Sequence, residues 1–341
     1  MPTDPAASGD AGQSAAAERR RDRLSVVIPT HDRRELVLRA LQSVLDQDAA
    51  ADIEVIVVDD ASDDGTADFL RQRHAADPRV QLLACTDRRH ASGARNLGFA
   101  RARGDFVCFL DSDDYWLPGT LAVVRQVFRQ NPQLAFVSVE GATLATREHG
   151  PLPRIVAGNS PGWSHAAFSR SGLAWQSIEL DDAGAVALLL GDFFPAIVYG
   201  DLFYLSGLVM RRECAQGAGP FNERFHYFND WEFFSRLCLQ GPGAYVAYDG
   251  FRRDTGRCDQ ISRRRPPSAL ARRHLFIVRS LLRREDARGH AITLRRAFAD
   301  ACYMMARALV GASRRKVARR YVFRCLRQRY KVWRCLALLL R

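Results

Sequence analysis

The stretch "DFVCFLDSDDYW" (residues 105–116) governs the reading of its surroundings. An apolar run stops abruptly in three carboxylates, Asp111, Asp113 and Asp114. A short run of this kind reads as a buried strand. Like charges that close repel one another and resist leaving water. The cluster therefore needs a positive partner or good solvation, and it needs it at a strand end.

Working outward, the same strand pattern recurs. "LSVVIP" (24–29), "IEVIVVDD" (53–60), "RVQLLAC" (79–85) and "QLAFVSVE" (133–140) read as strands. Between them lie helical patterns: "RRELVLRALQSVLDQ" (33–47, apolar at 36, 38, 41, 44 and 45), "DGTADFLRQRH" (64–74), "ASGARNLGFARA" (91–102) and "PGTLAVVRQVFRQN" (118–131). Asp63 or Asp64 is the expected N-cap of the second helix, and Pro118 the first turn of the fourth. Continuous apolar strands alternating with helices predict a parallel sheet covered on both faces. Such folds bind ligands at the carboxyl ends of their strands. Pro29-Thr30, Asp59-Asp60 and Asp111-Ser112-Asp113 all fall on that one edge.

Further on, "GPLPRIVAGNSPGWS" (150–164) reads as loop within an irregular 141–190 region. "LFYLSGLVMRRE" (202–213) is a strand entering a helix. "FNDWEFFSRLCLQG" (228–241) is an amphipathic helix with Phe233, Phe234, Leu237 and Cys238 on its apolar side. "AYVAYDGFRRDTGRCDQIS" (244–262) is a strand followed by an Arg-rich loop.

Four segments in order, "VVIPTHDRRELVLRALQSVLDQ", "EVIVVDDASDDGT", "GARNLGFARARGDFVCFLDSDD" and "NDWEFFSRL", resemble the family 2 inverting glycosyltransferases with the GT-A fold. The resemblance spans roughly residues 24–262. It implies an α/β fold with a Rossmann-like, mostly parallel sheet flanked by helices. It further implies a nucleotide-diphosphate-sugar donor, a divalent metal (Mn2+ or Mg2+) and inversion at the anomeric carbon.

The resemblance also assigns residues. Pro29, Thr30, Asp59 and Asp60 would hold the nucleoside, Asp60 being preferred because it directly precedes the small-residue–Ser step. A carboxylate suits this task because it accepts from base N–H groups and ribose hydroxyls. Gly93 and Arg95 of "GARN" would face the donor, one by close backbone approach and the other by neutralising phosphate or stacking near the base. "DSD" matches the family's metal-binding DxD element, with Asp111 near the ribose and Asp113 on the metal. Asp114 is expected to support or cap the helix that follows. Asp230 is the implied general base on the acceptor hydroxyl. The family pair there is two acids, and here the first is Asn229. Ser206, Gly207, Trp231 and Glu232 fall on the acceptor side. Arg252 matches a diphosphate clamp within Phe251-Arg252-x-Asp254, where the family has His in place of Asp254. His31 sits beside the nucleotide position and His226 near Asp230. Trp116, Trp163 and Trp231 are candidates for stacking on sugar rings.

Composition sets bounds on these readings. The 341 residues suffice for one large domain with an appendage. The eight cysteines show no CxxC or other metal spacing, as expected of a reduced, cytoplasmic protein. Residues 1–23 lack an apolar core and read as a disordered leader rather than a signal peptide. The expected organisation is a catalytic domain at 24–262, with a nucleotide-sugar half (24–139) and an acceptor half (140–262). A basic helical extension follows at 263–341.

The net charge of +12 is unevenly placed. Residues 266–341 hold 20 Lys and Arg against 3 Asp and Glu, net +17, which leaves −5 on residues 1–265. Val322, Leu326, Tyr330, Trp333 and Ala337 recur at helical steps, with Arg319, Arg320, Arg324, Arg327, Lys331 and Arg334 on other faces. Two readings stand: an extension lying on an anionic membrane, at the cytoplasmic face, or a cap docked on the catalytic domain with a solvated basic face. Nucleic acid is not expected, because no motif for it exists and the body is acidic.

The expected function is transfer of a sugar to a hydroxyl of a glycan or lipid-linked acceptor in cell-surface polysaccharide or lipid-linked glycan assembly. The alternative is a degenerate domain that binds a membrane or anionic partner through its tail. A nucleotidyltransferase would need a Gly-rich basic loop after the first strand, and "PTHDRREL" is not one.

Overall fold

The computed structural model describes residues 22–47, 52–143, 173–181, 183–225, 227–254 and 267–328, with Arg334, Cys335, Ala337 and Leu338. Its centre is one ten-stranded sheet. The first half follows the alternation expected from sequence: β1 (Leu24–Thr30), α1 (Arg34–Leu45), β2 (Ile53–Asp59), α2 (Thr66–His74), β3 (Val80–Ala84), α3 (His90–Phe99), β4 (Phe106–Phe109), β5 (Asp114–Trp116), α4 (Thr120–Gln130) and β6 (Phe136–Thr143). The second half supplies β7 (Ala174–Leu180), β8 (Gly184–Gly191), α5 (Phe194–Ile197), β9 (Leu208–Arg211), α6 (Arg212–Ala218), α7 (Asn229–Leu237) and β10 (Gly243–Arg253). Helices α8 (Pro267–Leu281), α9 (Ala291–Gly311) and α10 (Arg315–Arg327) follow.

The strand order is β3-β2-β1-β4-β9-β6-β10-β8-β7, with β5 paired to β10. The registers make β3, β2, β1, β4, β6, β10 and β7 run one way, and β9, β8 and β5 the other. The sheet is therefore mostly parallel. β9 comes from the second half of the chain but lies between β4 and β6 of the first.

Alternate side chains of a strand face opposite sides, and both sides are buried here. Val27, Ile56, Val58, Val107 and Phe109 point to a core shared with Ala94 of α3, Phe233 and Phe234 of α7, and Ile277 and Val278 of α8. Val26, Ile28, Val55, Val57 and Cys108 point to the other core, with α1 and α4. This double burial is why the strands read as continuous apolar runs. α1 buries Val37, Ala40, Leu41, Val44 and Leu45 rather than the 36/38 side of its sequence pattern.

Several local expectations need correction. Gly65, at φ 78°, occupies the N-cap of α2, while Asp64 accepts the Thr66 N–H at 3.0 Å from one residue further back. Gly119, at φ 80°, precedes α4, so Pro118 lies ahead of the first turn. Glycine alone takes such φ values without strain. Asp114 caps no helix and instead opens β5. The irregular region contains an antiparallel hairpin, β7–β8, that continues the sheet beyond β10. The predicted loop at 150–164 lies outside the described residues.

The basic extension docks on the body. α8 sends Ile277, Val278 and Leu281 into the core it shares with the sheet, α3 and α7, and turns Ala271 and Leu275 toward a third core. That third core holds Cys302, Met305 and Leu309 of α9 and Ala318, Val322 and Cys325 of α10. Among the described residues, no helix is long and apolar enough to cross a membrane.

Candidate active site

The parallel strands deliver their carboxyl ends to one edge, as expected. Thr30 and Asp59 are register partners, and the Asp60 N–H donates to the Thr30 carbonyl at 2.9 Å. The two neighbouring carboxylates then part company. Asp59 is buried and accepts the Ser62 hydroxyl, so it holds the turn after β2; burial pushes its pKa up. Asp60 turns to the loop before α3, accepting the Arg89 N–H at 2.6 Å and facing Arg88 Nε at 3.3 Å. His31 Nδ1 lies 2.9 Å from the Asp60 carbonyl.

α3 carries the next group inward. A Cβ on Gly93 would stand 2.8 Å from the Arg89 Cβ, so glycine permits the approach of that loop. Arg95 is buried, lies over the Phe221 ring and donates to Asp111 Oδ1 at 2.5 Å. Asn96 clamps the 221–223 segment, donating to the Phe221 carbonyl at 3.0 Å and to Glu223 Oε1 at 2.9 Å.

The acid cluster resolves the charge problem posed by its sequence. One carboxylate oxygen each from Asp111, Asp113 and Asp114 lies within 4.8 Å of the others. Each acid has a partner of its own. Arg95 serves Asp111, Arg33 Nη1 meets Asp113 Oδ2 at 3.0 Å, and the Ser206 hydroxyl donates to Asp114 Oδ2 at 2.5 Å. Arg39 donates to the Asp113 carbonyl at 2.8 Å. Burial first, then the charges of Asp111 and Asp113, push the Asp114 carboxyl up to about 8. Three hard oxygen donors gathered this closely fit a divalent cation such as Mn2+ or Mg2+.

On the far side, α7 begins after Phe228, whose φ of 57° is left-handed. Asp230 is half-buried in the first turn, its Oδ1 accepting the Trp231 N–H at 2.9 Å. Asn229 Oδ1 accepts the Asp230 N–H at 2.9 Å, while its amide donates to Ser92 Oγ at 2.6 Å. Ser92 lies three residues before Arg95 on α3. The start of α7 is thus hydrogen-bonded to the helix that grips the acid cluster.

With that geometry in place, the comparisons decide the family. Residues 25–194, about half of the chain, match the Glycosyl transferase family 2 model. The chain belongs to glycosyl transferase family 2. It is 35% identical to TuaG of Bacillus subtilis, assigned to teichuronic acid biosynthesis, over 39% of this chain and 52% of that one. It is 37% identical to the GalNAc(5)-diNAcBac-PP-undecaprenol beta-1,3-glucosyltransferase of Campylobacter jejuni, over 30% of this chain and 34% of that one. The chain thus spans about half of one curated relative and a third of the other. The crystal structure of S. aureus TarS 1-349 in complex with UDP-GlcNAc superposes with TM-score 0.62 at 14% identity, covering 93% of this chain and 89% of that one. Likeness at that identity shows the fold, which is of the GT-A type.

Within this family 2 domain some anticipated site residues take other places. Trp231 is 1% exposed, donates to the Ile197 carbonyl at 2.6 Å and lies against His274, so it is packed in the core. Trp116 is likewise buried, donating to the Ser206 carbonyl at 2.7 Å. Both Glu232 oxygens are taken by Arg236, at 2.9 and 2.7 Å, and Arg236 in turn holds the Ala218 and Pro220 carbonyls. Glu232 therefore braces α7 from inside. Ser206 and Gly207 form the floor beneath the acids; a Cβ on Gly207 would stand 2.4 Å from the Phe251 ring. All four residues assigned to the acceptor side are buried. Arg252 pairs with Asp249 at 2.5 Å. Trp163 and His226 lie outside the described residues.

Arg33 and Arg39 were not anticipated from sequence. Arg33 follows β1 on the same edge as the acids, and that placement is the signal that could have found it. Arg253, the register partner of Asp114, lies over the Tyr204 ring at 4.2 Å and was missed because its neighbour Arg252 matched the family pattern.

Proposed function

We propose that this chain is an inverting, metal-dependent glycosyltransferase that moves a sugar from a nucleotide-diphosphate-sugar to an acceptor hydroxyl. One observation carries the reading. The oxygens of Asp111, Asp113 and Asp114 gather on the sheet edge that also presents Thr30 and Asp60. Pro29, Thr30 and Asp60 bind the nucleoside, while Asp59 stiffens the turn that presents Asp60. Asp113 and Asp111 would hold Mn2+ or Mg2+. A cation bound there would supply positive charge toward the leaving nucleoside diphosphate. Arg95 and Arg252 neutralise phosphate, and Gly93 lets the chain come close to it.

Asp230 removes the acceptor proton during a single displacement, which inverts the anomeric carbon. Asn229 fixes that carboxylate relative to α3 without placing a second negative charge beside it. The acceptor is a glycan under assembly, lipid-linked or destined for a cell-surface polysaccharide. The names of TuaG and the Campylobacter enzyme support this reading. The chain works at the cytoplasmic membrane face, touching it through the basic extension.

The deciding experiment is a thermal-shift and hydrolysis screen of UDP-, GDP-, dTDP- and CMP-sugars, with and without Mn2+, on wild type and Asp113→Ala. A metal-dependent shift with one nucleotide class, absent in Asp113→Ala, is expected. A folded wild-type protein that shifts with no donor overturns the reading and favours a degenerate domain that acts through its tail.

A further inference from the structure

Asp300 is the last acidic residue of the chain, and twelve Lys and Arg follow it. Six of them lie on α10: Arg315, Lys316, Arg319, Arg320, Arg324 and Arg327. This helix packs on α8 and α9 through Ala318, Val322 and Cys325, buried in the third core, with Val317, Tyr321 and Leu326 partly buried beside them. The opposite side faces water. Lys316, Arg319, Arg320, Arg324 and Arg327 are exposed there, and among them Phe323 is 57% exposed. Positions 316, 319, 320, 323 and 327 share one face at three- and four-residue steps.

Two features of this face ask for an external partner. The cations repel one another, and α10 itself carries no Asp or Glu to offset them. A single exposed ring is ordinary on a surface, but Phe323 stands among five exposed cations. An anionic bilayer answers both, because lipid phosphates meet the cations and the ring enters the acyl boundary. Single-stranded nucleic acid fits less well, since its binders combine a basic groove with successive aromatics. α10 offers a single exposed aromatic on one helix face.

We propose that the exposed face of α10 is the surface by which this chain lies on an anionic membrane. The inference narrows the membrane contact proposed above, and rests on the transferase reading only for its purpose, bringing the active site to a lipid-linked acceptor.

The test is co-sedimentation of the full chain with vesicles of phosphatidylglycerol mixed with phosphatidylcholine, against phosphatidylcholine alone. Wild type should pellet only with the anionic vesicles and be released by salt. Arg319→Glu/Arg320→Glu should lower partitioning by about a hundredfold or more. Phe323→Ser, which changes no charge, should lower it by about tenfold. Failure of wild type to bind anionic vesicles at low salt overturns the inference, as does unchanged binding by both variants. Salt-sensitive binding to a mixed-sequence oligonucleotide, with indifference to vesicles, overturns it in favour of nucleic acid. Donor-induced thermal shifts are measured on the same samples. Lost vesicle binding with intact donor shifts defeats only the α10 assignment, and the converse defeats only the transferase reading.

Discussion

The sheet edge and the C-terminal helices handle charge in opposite ways. At the edge, three carboxylates lie within 4.8 Å, yet Arg95, Arg33 and the Ser206 hydroxyl each answer one of them. On α10, six cations share thirteen residues with no acid among them. Asp114 is buried and must find its partner within the fold, whereas Asp111 keeps 38% of its side chain exposed and is met at the rim. Charge spread over a surface can wait for something outside. The first pattern is the one proposed above to bind a small ligand by exchanging partners, and the second the one proposed to meet an extended surface.

The strongest challenge to this contrast is at the catalytic end. Asp230→Asn should lower sugar transfer by about a hundred- to ten-thousandfold while leaving donor-induced thermal shifts in place. Steady-state transfer beside those shifts would check it, and parallel loss of both would make Asp230 a structural residue. Next comes the floor under the acids. Gly207→Ala drives a methyl into the Phe251 ring and should cost about 1–3 kcal/mol in chemical denaturation. Ser206→Ala leaves the buried Asp114 carboxyl without its hydroxyl donor, and a loss of about 1–3 kcal/mol is expected. A neutral result would mean that the acids are solvated rather than internally answered.

A smaller effect sharpens the other half of the comparison. Moderate salt should raise the melting temperature of wild type by screening the repulsion along α10, and raise it less in Arg319→Glu/Arg320→Glu. Equal salt responses would place the repulsion elsewhere. The smallest effect is a control far from both regions. Its hydrogen bond to Arg79 holds the Asp77 carboxyl below its usual range. A carboxyl lowered by folding stabilises above its unfolded value, and loses that contribution as pH falls through the folded one. Asp77→Asn should therefore cost less than about 1 kcal/mol near neutrality. That difference should vanish in acid, as followed by denaturation across pH.

The donor edge was legible because its signals are local. Each strand is a short apolar run, each ends in polar residues, and parallel order puts those ends together. The residues placed on the acceptor side were not legible in this way. Whether Trp231 faces a sugar or the core depends on the Ile197 carbonyl and on His274, both distant in sequence. Arg33 meets Asp113 across 80 positions, and no local pattern predicts that pairing. The β7–β8 hairpin escaped because β7 is exposed along most of its length and carries only two buried residues, Ile178 and Leu180. Whether the basic extension packs on the body was also not legible, because Ile277, Val278 and Leu281 of α8 meet partners far away in sequence.

The position of β9 has a consequence for how the chain comes into being. During synthesis, β4 and β6 emerge long before residues 208–211, which must lie between them and pair with both. Until that strand arrives, two strands hold open edges whose proper partner does not yet exist, a situation that invites pairing with other chains. The nascent first half must therefore wait, and folding is governed by contacts of long sequence separation, which form slowly. A fragment cut after residue 143 would keep its acids and most of its strands, yet lack the strand that makes them one sheet.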